Sequence, residues 1–273
     1  MKNEMPKESS EAVRWDQKAL VREVDWRDLL TLTKWERFVE WTLPIPWLLG
    51  SWGFAYHGYV LLALPCSFFF FLTGLRQSHN GFHRALGLGA KGTGFFLRLN
   101  SMLMLASMHA VQWNHLRHHK HCLDEHDIEG KPARMKAWQA LLYGPVNIVH
   151  LHAAALKGGR TRDRKLVSLE LGLIGLLLLA TVVSRAEFLI YHVAVMIIGE
   201  CMTAFFAVWT VHHDCEPHEV ARTQRGWLKN KLSYSMFYHL EHHLFPAVPT
   251  IKLDILAERL DEKKPEPARK FVF

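Results

Sequence analysis

The residues of this chain that could do chemistry are histidines at helical spacing. His79 and His83 close the run His-Asn-Gly-Phe-His, which places both imidazoles on one helix face a turn apart. His115, His118 and His119 follow at i, i+3 and i+4, and the same spacing recurs in His239, His242 and His243. Eight converging imidazoles exceed the three or four protein ligands that one zinc ion takes, so two metal ions are implied. Imidazole suits iron, zinc, copper and nickel alike, and ligand type does not choose among them. A heme would need an axial histidine on each of two facing helices. Only His57 and His192 fall in or beside the long apolar stretches, and both lie far from the three clusters.

The elements that must carry these clusters show in the distribution of charge. Among 273 residues there are 33 Lys and Arg, 26 Asp and Glu and 18 His, with a formal net charge of +7. Yet residues 41–75 contain no Asp, Glu, Lys or Arg. As one helix that stretch would be ~52 Å long, too long for a single crossing. It suits two crossings joined near His57 and Gly58, and a second pair follows at 166–184 and 188–211, separated by Arg185, Ala186 and Glu187.

The fold expected is therefore all-α and integral to a membrane. Four transmembrane helices, at about 41–57, 58–75, 166–184 and 188–211, form two hairpins below a cytoplasmic helical cap that carries the histidine clusters. The uncharged segments 99–113 and 137–156 are expected to lie in the interface, because a crossing by either would divide the clusters between opposite faces. Residues 1–40 form an N-terminal segment with an interfacial helix at 26–41, residues 41–252 the membrane domain, and residues 253–273 a C-terminal helix and tail.

Thirty-two of the 33 basic residues then lie on the face that carries the clusters, with Arg185 alone opposite. The positive-inside rule makes that face, and both termini, cytoplasmic. The basic excess reports membrane orientation and lipid headgroup contact, and nucleic acid is not expected as a partner. No apolar leader occupies the first 25 residues, so no cleaved signal is expected. The four cysteines, at 66, 122, 201 and 215, have no paired spacing that suggests a disulfide framework or a thiolate zinc site.

HxxxH followed by two HxxHH clusters around two apolar hairpins resembles the membrane fatty acid desaturase and hydroxylase superfamily. The third cluster, Tyr-His-Leu-Glu-His-His-Leu-Phe-Pro at 238–246, is especially similar to the EHHLFP type of acyl-lipid desaturases. The resemblance runs from about residue 41 to 252. It implies a non-heme diiron enzyme that uses O2 to take hydrogen from an unactivated C–H bond of a lipid chain. Its implied iron ligands are His79, His83, His115, His118, His119, His239, His242 and His243. A ninth is expected just after the fourth span, with His213 the first choice, His212 the second and His218 the third.

Asp124, Glu125 and Asp127 beside the second cluster could accept a ligand's outer N–H, or could form a solvated loop. His109, His121, His126, His150 and His152 match no cluster and are expected at the surface or interface. The chain has no flavin or nicotinamide glycine fingerprint and no fused cytochrome b5 motif. Electrons must come from a separate donor such as a ferredoxin or cytochrome b5-like protein, steered by the basic stretches at 157–165 and 222–231. Acyl-chain desaturation is the reading of the third cluster. Hydroxylation, or oxidation of a carotenoid ring, shares the same first step. A non-enzymatic metal carrier is the contrasting class, but its sites would lie near the bilayer midplane, and these clusters fall outside the spans.

Overall fold

The computed structural model describes residues 22–215, 219–263 and 270–272. Among them every regular element is helical, and β pairing is confined to an isolated bridge between Thr223 and Phe271. The chain enters through α1 (Lys34–Thr42), opened by a capping box: Thr33 Oγ1 accepts from Glu36 N at 3.1 Å, and Glu36 Oε2 accepts from Thr33 N at 2.7 Å. Then follow α2 (Ile45–Tyr56) and α3 (Val60–Phe82), an antiparallel hairpin whose turn uses Gly58 at φ +77°. Ser51 Oγ and Ser67 Oγ meet across it at 2.8 Å.

Among the described residues three helices are long and apolar enough to cross a membrane: Val60–Phe82, Thr161–Ser184 and Glu187–His212. The expected span at 41–57 is not among them. Pro44 and Pro46 lack the amide N–H that a helix interior needs, and the rod divides there into α1 and α2. At 12 residues α2 is ~18 Å long, short of a ~30 Å hydrocarbon core. The second expected span, by contrast, does not stop at residue 75. It continues through Phe82, so His79 rides on the same rod as the membrane-facing residues.

The segments expected in the interface pack against the apolar helices. α4 (Ala90–Met104) and α5 (Met108–His121) make a hairpin that turns at Leu105, in the left-handed region at φ +63°. Its tip is tied to α7 (Thr161–Ser184) by Ser107 Oγ, which donates to Glu170 Oε2 at 2.6 Å. It is tied to α8 (Glu187–Thr203) by His192 Nε2, which donates to Leu103 O at 2.9 Å. The hairpin enters and returns, so both its ends stay on one side of the bundle. α6 (Ala137–Gly158) lies so close to α8 that a Cβ at Gly144 would collide with the Cys201 carbonyl oxygen. Small residues allow this backbone-to-backbone approach between membrane helices.

Beyond α8 come a π-helical turn (Ala204–Trp209), a last α turn (Thr210–His212), α9 (Trp227–Leu232), α10 (His239–Leu244) and α11 (Leu253–Lys263). Leu253, Leu256 and Leu260 of α11 are buried against Leu240 and Leu244 of α10. A buried polar network holds the end of α3 in place. Glu40 of α1, fully buried, pairs with Arg76 and accepts from Asn80 Nδ2 at 2.9 Å. Asn80 Oδ1 in turn accepts from Thr250 N and Oγ1 at 3.1 and 2.7 Å. The first histidine cluster is thereby fixed to the chain on both sides of it.

Candidate metal centre

Four chain segments bring the histidines together. The end of α3 supplies His79 and His83, α5 supplies His115, His118 and His119, the turn after α8 supplies His212, and α10 supplies His239, His242 and His243. They sort into two groups whose donor atoms lie within 4.8 Å of one another: His79, His83, His115 and His242, and then His118, His212, His239 and His243. His119 Nε2 stands 3.1 Å from His115 Nε2 and 3.0 Å from His242 Nε2, at the edge of the first group. Its ring stacks on His243 of the second group at 4.3 Å.

In the second group the Nε2 atoms close a ring. His118 to His212 is 3.1 Å, His212 to His239 3.0 Å, His239 to His243 3.2 Å and His243 to His118 3.3 Å. Nitrogens ~2.1 Å from a shared ion stand ~3.0 Å apart at a right angle and ~3.4 Å apart at the tetrahedral angle. The observed edges, 3.0–3.3 Å, lie between these two values, as donors around one shared ion would. In the first group His79 Nδ1 and Nε2 and His83 Nε2 are buried with no hydrogen-bond partner among the described residues. Imidazole nitrogens orphaned in this way among other imidazoles are what a cation would satisfy.

Electrostatics keeps the donors available. Burial pushes the His83 imidazole down to about 2, helped by the neighbouring His115. Burial and the surrounding imidazoles also hold His119, His239, His242 and His243 well below the usual range. These rings are neutral, the form that binds metal. His118 is the exception. Burial lowers it, but the hydrogen bond to Asp127 and the charges of Glu129 and Asp127 outweigh burial and raise it.

Outer partners set the ring orientation. His118 Nδ1 donates to Asp127 Oδ2 at 2.7 Å, His115 Nδ1 to Glu129 Oε1 at 2.8 Å and His212 Nδ1 to Val220 O at 3.0 Å. Each bond fixes a tautomer that leaves Nε2 free to face the cluster. Asp127 is held by Leu123 N at 2.9 Å and Gly130 N at 2.8 Å, so the acidic loop is built around it. Of the three acids considered from sequence, only Asp127 reaches a clustered histidine. Asp124 pairs with His121 at 3.0 Å, and exposed Glu125 lies 3.6 Å from His126. Sequence reasoning missed Glu129, although the density of acids from 124 to 129 pointed to the loop.

The order of preference at the ninth position is reversed. His212 joins the second group. His213 turns away, its ring stacked on Trp209 at 4.0 Å and its Nδ1 donating to Trp209 O at 2.9 Å. A π turn at Ala204–Trp209, where Thr210 Oγ1 donates to Phe205 O at 3.0 Å, leads into the last α turn. That turn ends at His212, and His213 leaves the helix with ψ 143°, so its ring lies back on Trp209 while His212 stays on the helical face that meets the second group. His218 lies outside the described residues.

The remaining histidines divide. His57 ends α2 at the far turn, while His121 and His126 stay near the surface and His150 pairs with Tyr143 at 2.7 Å. His109 and His152 were expected at the surface or interface but sit at the hairpin tip. His109 Nδ1 meets fully buried Glu170 at 2.5 Å, and His152 Nε2 accepts from Ser107 N at 2.9 Å.

No curated protein and no solved structure matches the chain. The sequence profile of the family described as Fatty acid desaturase matches residues 54–272, a range that contains all nine grouped histidines and the apolar helices that position them. On that match the chain belongs to the fatty acid desaturase family.

Proposed function

We propose that this protein is an O2-dependent membrane acyl-lipid desaturase that introduces a double bond into a lipid chain at a histidine-held diiron centre. The observation that carries the reading is the pair of adjoining imidazole groups at one end of three apolar helices, inside a match to the desaturase family. His79, His83, His115, His119 and His242 would hold one iron, and His118, His212, His239 and His243 the other. Iron bound there supplies the O2 chemistry that removes hydrogen from an unactivated C–H bond.

The rest falls to the chain itself. Burial keeps the imidazoles neutral, Asp127 and Glu129 hold His118 and His115 in register, and the Glu40–Arg76–Asn80 network anchors the end of α3. Forming a double bond removes two hydrogens, and reduction of O2 to two waters consumes them with two further electrons and two protons. A separate donor, a ferredoxin or cytochrome b5-like protein, supplies the electrons at the basic face.

In this reading α2 completes a fourth crossing together with the kinked end of α1. Arg185 lies at the turn between α7 and α8, away from the histidine groups, and the positive-inside rule makes the histidine end the cytoplasmic one. Exposed Tyr56 and Tyr59 at one end and exposed Trp35, Trp138 and Trp227 at the other are the residues expected at two membrane–water interfaces.

Expression in a host of defined lipid composition, followed by mass spectrometry of the acyl chains, tests the reaction. A product lighter by two hydrogens supports desaturation. A product heavier by one oxygen refutes it in favour of the hydroxylase or ketolase chemistry of the same superfamily. Purified protein that holds zinc alone and takes up no O2 with reductant would identify a metal carrier.

A further inference from the structure

Two buried polar atoms far from the histidine groups have no hydrogen-bond partner among the described residues: Trp52 Nε1 on α2 and His192 Nδ1 on α8. The two rings meet edge to face, with centroids 5.4 Å apart and planes at 86°. His192 is 2% exposed. It precedes His212 by twenty residues on the same helical run, ~30 Å at the helical rise, so the pair lies in the half of the bundle nearest the Arg185 turn.

The chemistry of the pair is specific. His192 Nε2 donates to Leu103 O at 2.9 Å, which leaves Nδ1 as an acceptor. Trp52 Nε1 can only donate. One donor and one acceptor therefore sit on rings whose centroids are 5.4 Å apart without being bonded to each other. Their polar neighbours do not share this condition: Ser51 Oγ meets Ser67 Oγ at 2.8 Å, and Ser67 Oγ meets Tyr191 OH at 2.9 Å. Edge-on Phe188 at 5.8 Å from Trp52 and Phe70 at 5.9 Å from His192 make the surroundings apolar. In such surroundings an unmade hydrogen bond is expensive, and a histidine inside a span marks a binding role.

We propose that Trp52 and His192 form a binding site for the hydroxyl group of a long-chain lipid, independent of the metal centre and of the reaction proposed for it. A hydroxyl accepts from Trp52 Nε1–H and donates to His192 Nδ1, so one group satisfies both atoms. A carbonyl or ether oxygen can only accept and leaves Nδ1 unpaired. An ionised group at this depth carries the cost of a charge inside the membrane.

The test is photolabelling of the full chain in phosphatidylcholine nanodiscs. One probe is a sixteen-carbon alcohol with a diazirine next to the hydroxyl end, and the other is its methyl ether. After irradiation and digestion, the alcohol should label peptides of α2 and α8 around Trp52 and His192 about tenfold more than the ether, a preference worth one to two hydrogen bonds. Excess unlabelled 1-hexadecanol should compete. His192→Phe keeps an aromatic ring and removes the acceptor that only the alcohol can use, so it should bring alcohol labelling down to the ether's level, whereas Trp52→Phe removes the donor that both probes use and should weaken labelling by both. Equal labelling by the two probes in the wild type, which an internal water or apolar contact alone would produce, overturns the proposal. So does an alcohol preference that survives in His192→Phe.

Discussion

Replacing Asp127 with asparagine isolates what the outer carboxylate does for the centre. Its two oxygens serve three donors: Oδ2 takes His118 Nδ1–H at 2.7 Å and Leu123 N–H at 2.9 Å, and Oδ1 takes Gly130 N–H at 2.8 Å. An asparagine has a single oxygen. Its best rotamer keeps that oxygen on His118 and Leu123 and turns the amide N–H2 toward the Gly130 N–H, donor against donor, in a place where Asp127 is 5% exposed. One buried donor left unpaired costs about 1–3 kcal/mol, and the charge-assisted bond to His118 weakens as well. Outer partners of metal-bound histidines are typically worth 10–100-fold in metal affinity, or about 1.4–2.8 kcal/mol, in the same range. The assay is metal retention: iron per chain by mass spectrometry after a timed chelator challenge, for wild type, Asp127→Asn and Asp124→Asn. Asp127→Asn should lose metal at least tenfold faster. Asp124→Asn, which touches only His121 near the surface, should match wild type. Equal retention in Asp127→Asn and wild type would refute the orienting role.

Three further outcomes follow from the same geometry. His212→Ala should strip metal from the second group while His213→Ala retains it, checked by iron per chain; the opposite result would refute the inward placement of His212. Glu40→Ala leaves Arg76 buried without its counter-charge and should destabilise the protein by about 3–5 kcal/mol in denaturant unfolding, with the first cluster the first to loosen. The metal-free protein should lose stability as pH falls. His83, His119, His239, His242 and His243 have folded pKa values below the unfolded value near 6.5, so below that pH the unfolded chain binds more protons than the folded one. The slope reaches about 1.4 kcal/mol per pH unit for each such group. A melting temperature that does not fall between pH 7 and pH 5 would contradict the neutral-imidazole reading.

Much of the centre was legible from spacing alone, because three clusters at i, i+3 and i+4 or i, i+4 can only converge if they lie on helices. The charge-free stretches likewise exposed the apolar helices, since a chain that must shed water along a whole rod cannot carry charge there. Boundaries were less legible. Pro44 and Pro46 broke a stretch whose composition read as continuous, and α3 ran past the last apolar residue because Arg76, Gln77 and Asn80 are satisfied by Glu40 and its neighbours rather than by solvent. Segment 99–113 was expected in the interface because a crossing would have divided the clusters, and the tip of the α4–α5 hairpin carries the polar Ser107 and His109. Only Glu170, from a distant helix, makes those groups affordable inside the bundle.

Local sequence determined which residues could be ligands, that there are enough for two ions, and which segments are apolar enough for a membrane, since each of these is a property of composition and helical period. Tertiary structure decided how the histidines divide between two groups, which carboxylates stand behind them, and that His212 rather than His213 faces inward. Those outcomes depend on contacts between residues from 9 to 125 positions apart and on where the last helical turn ends, and neither leaves a periodic trace in the chain.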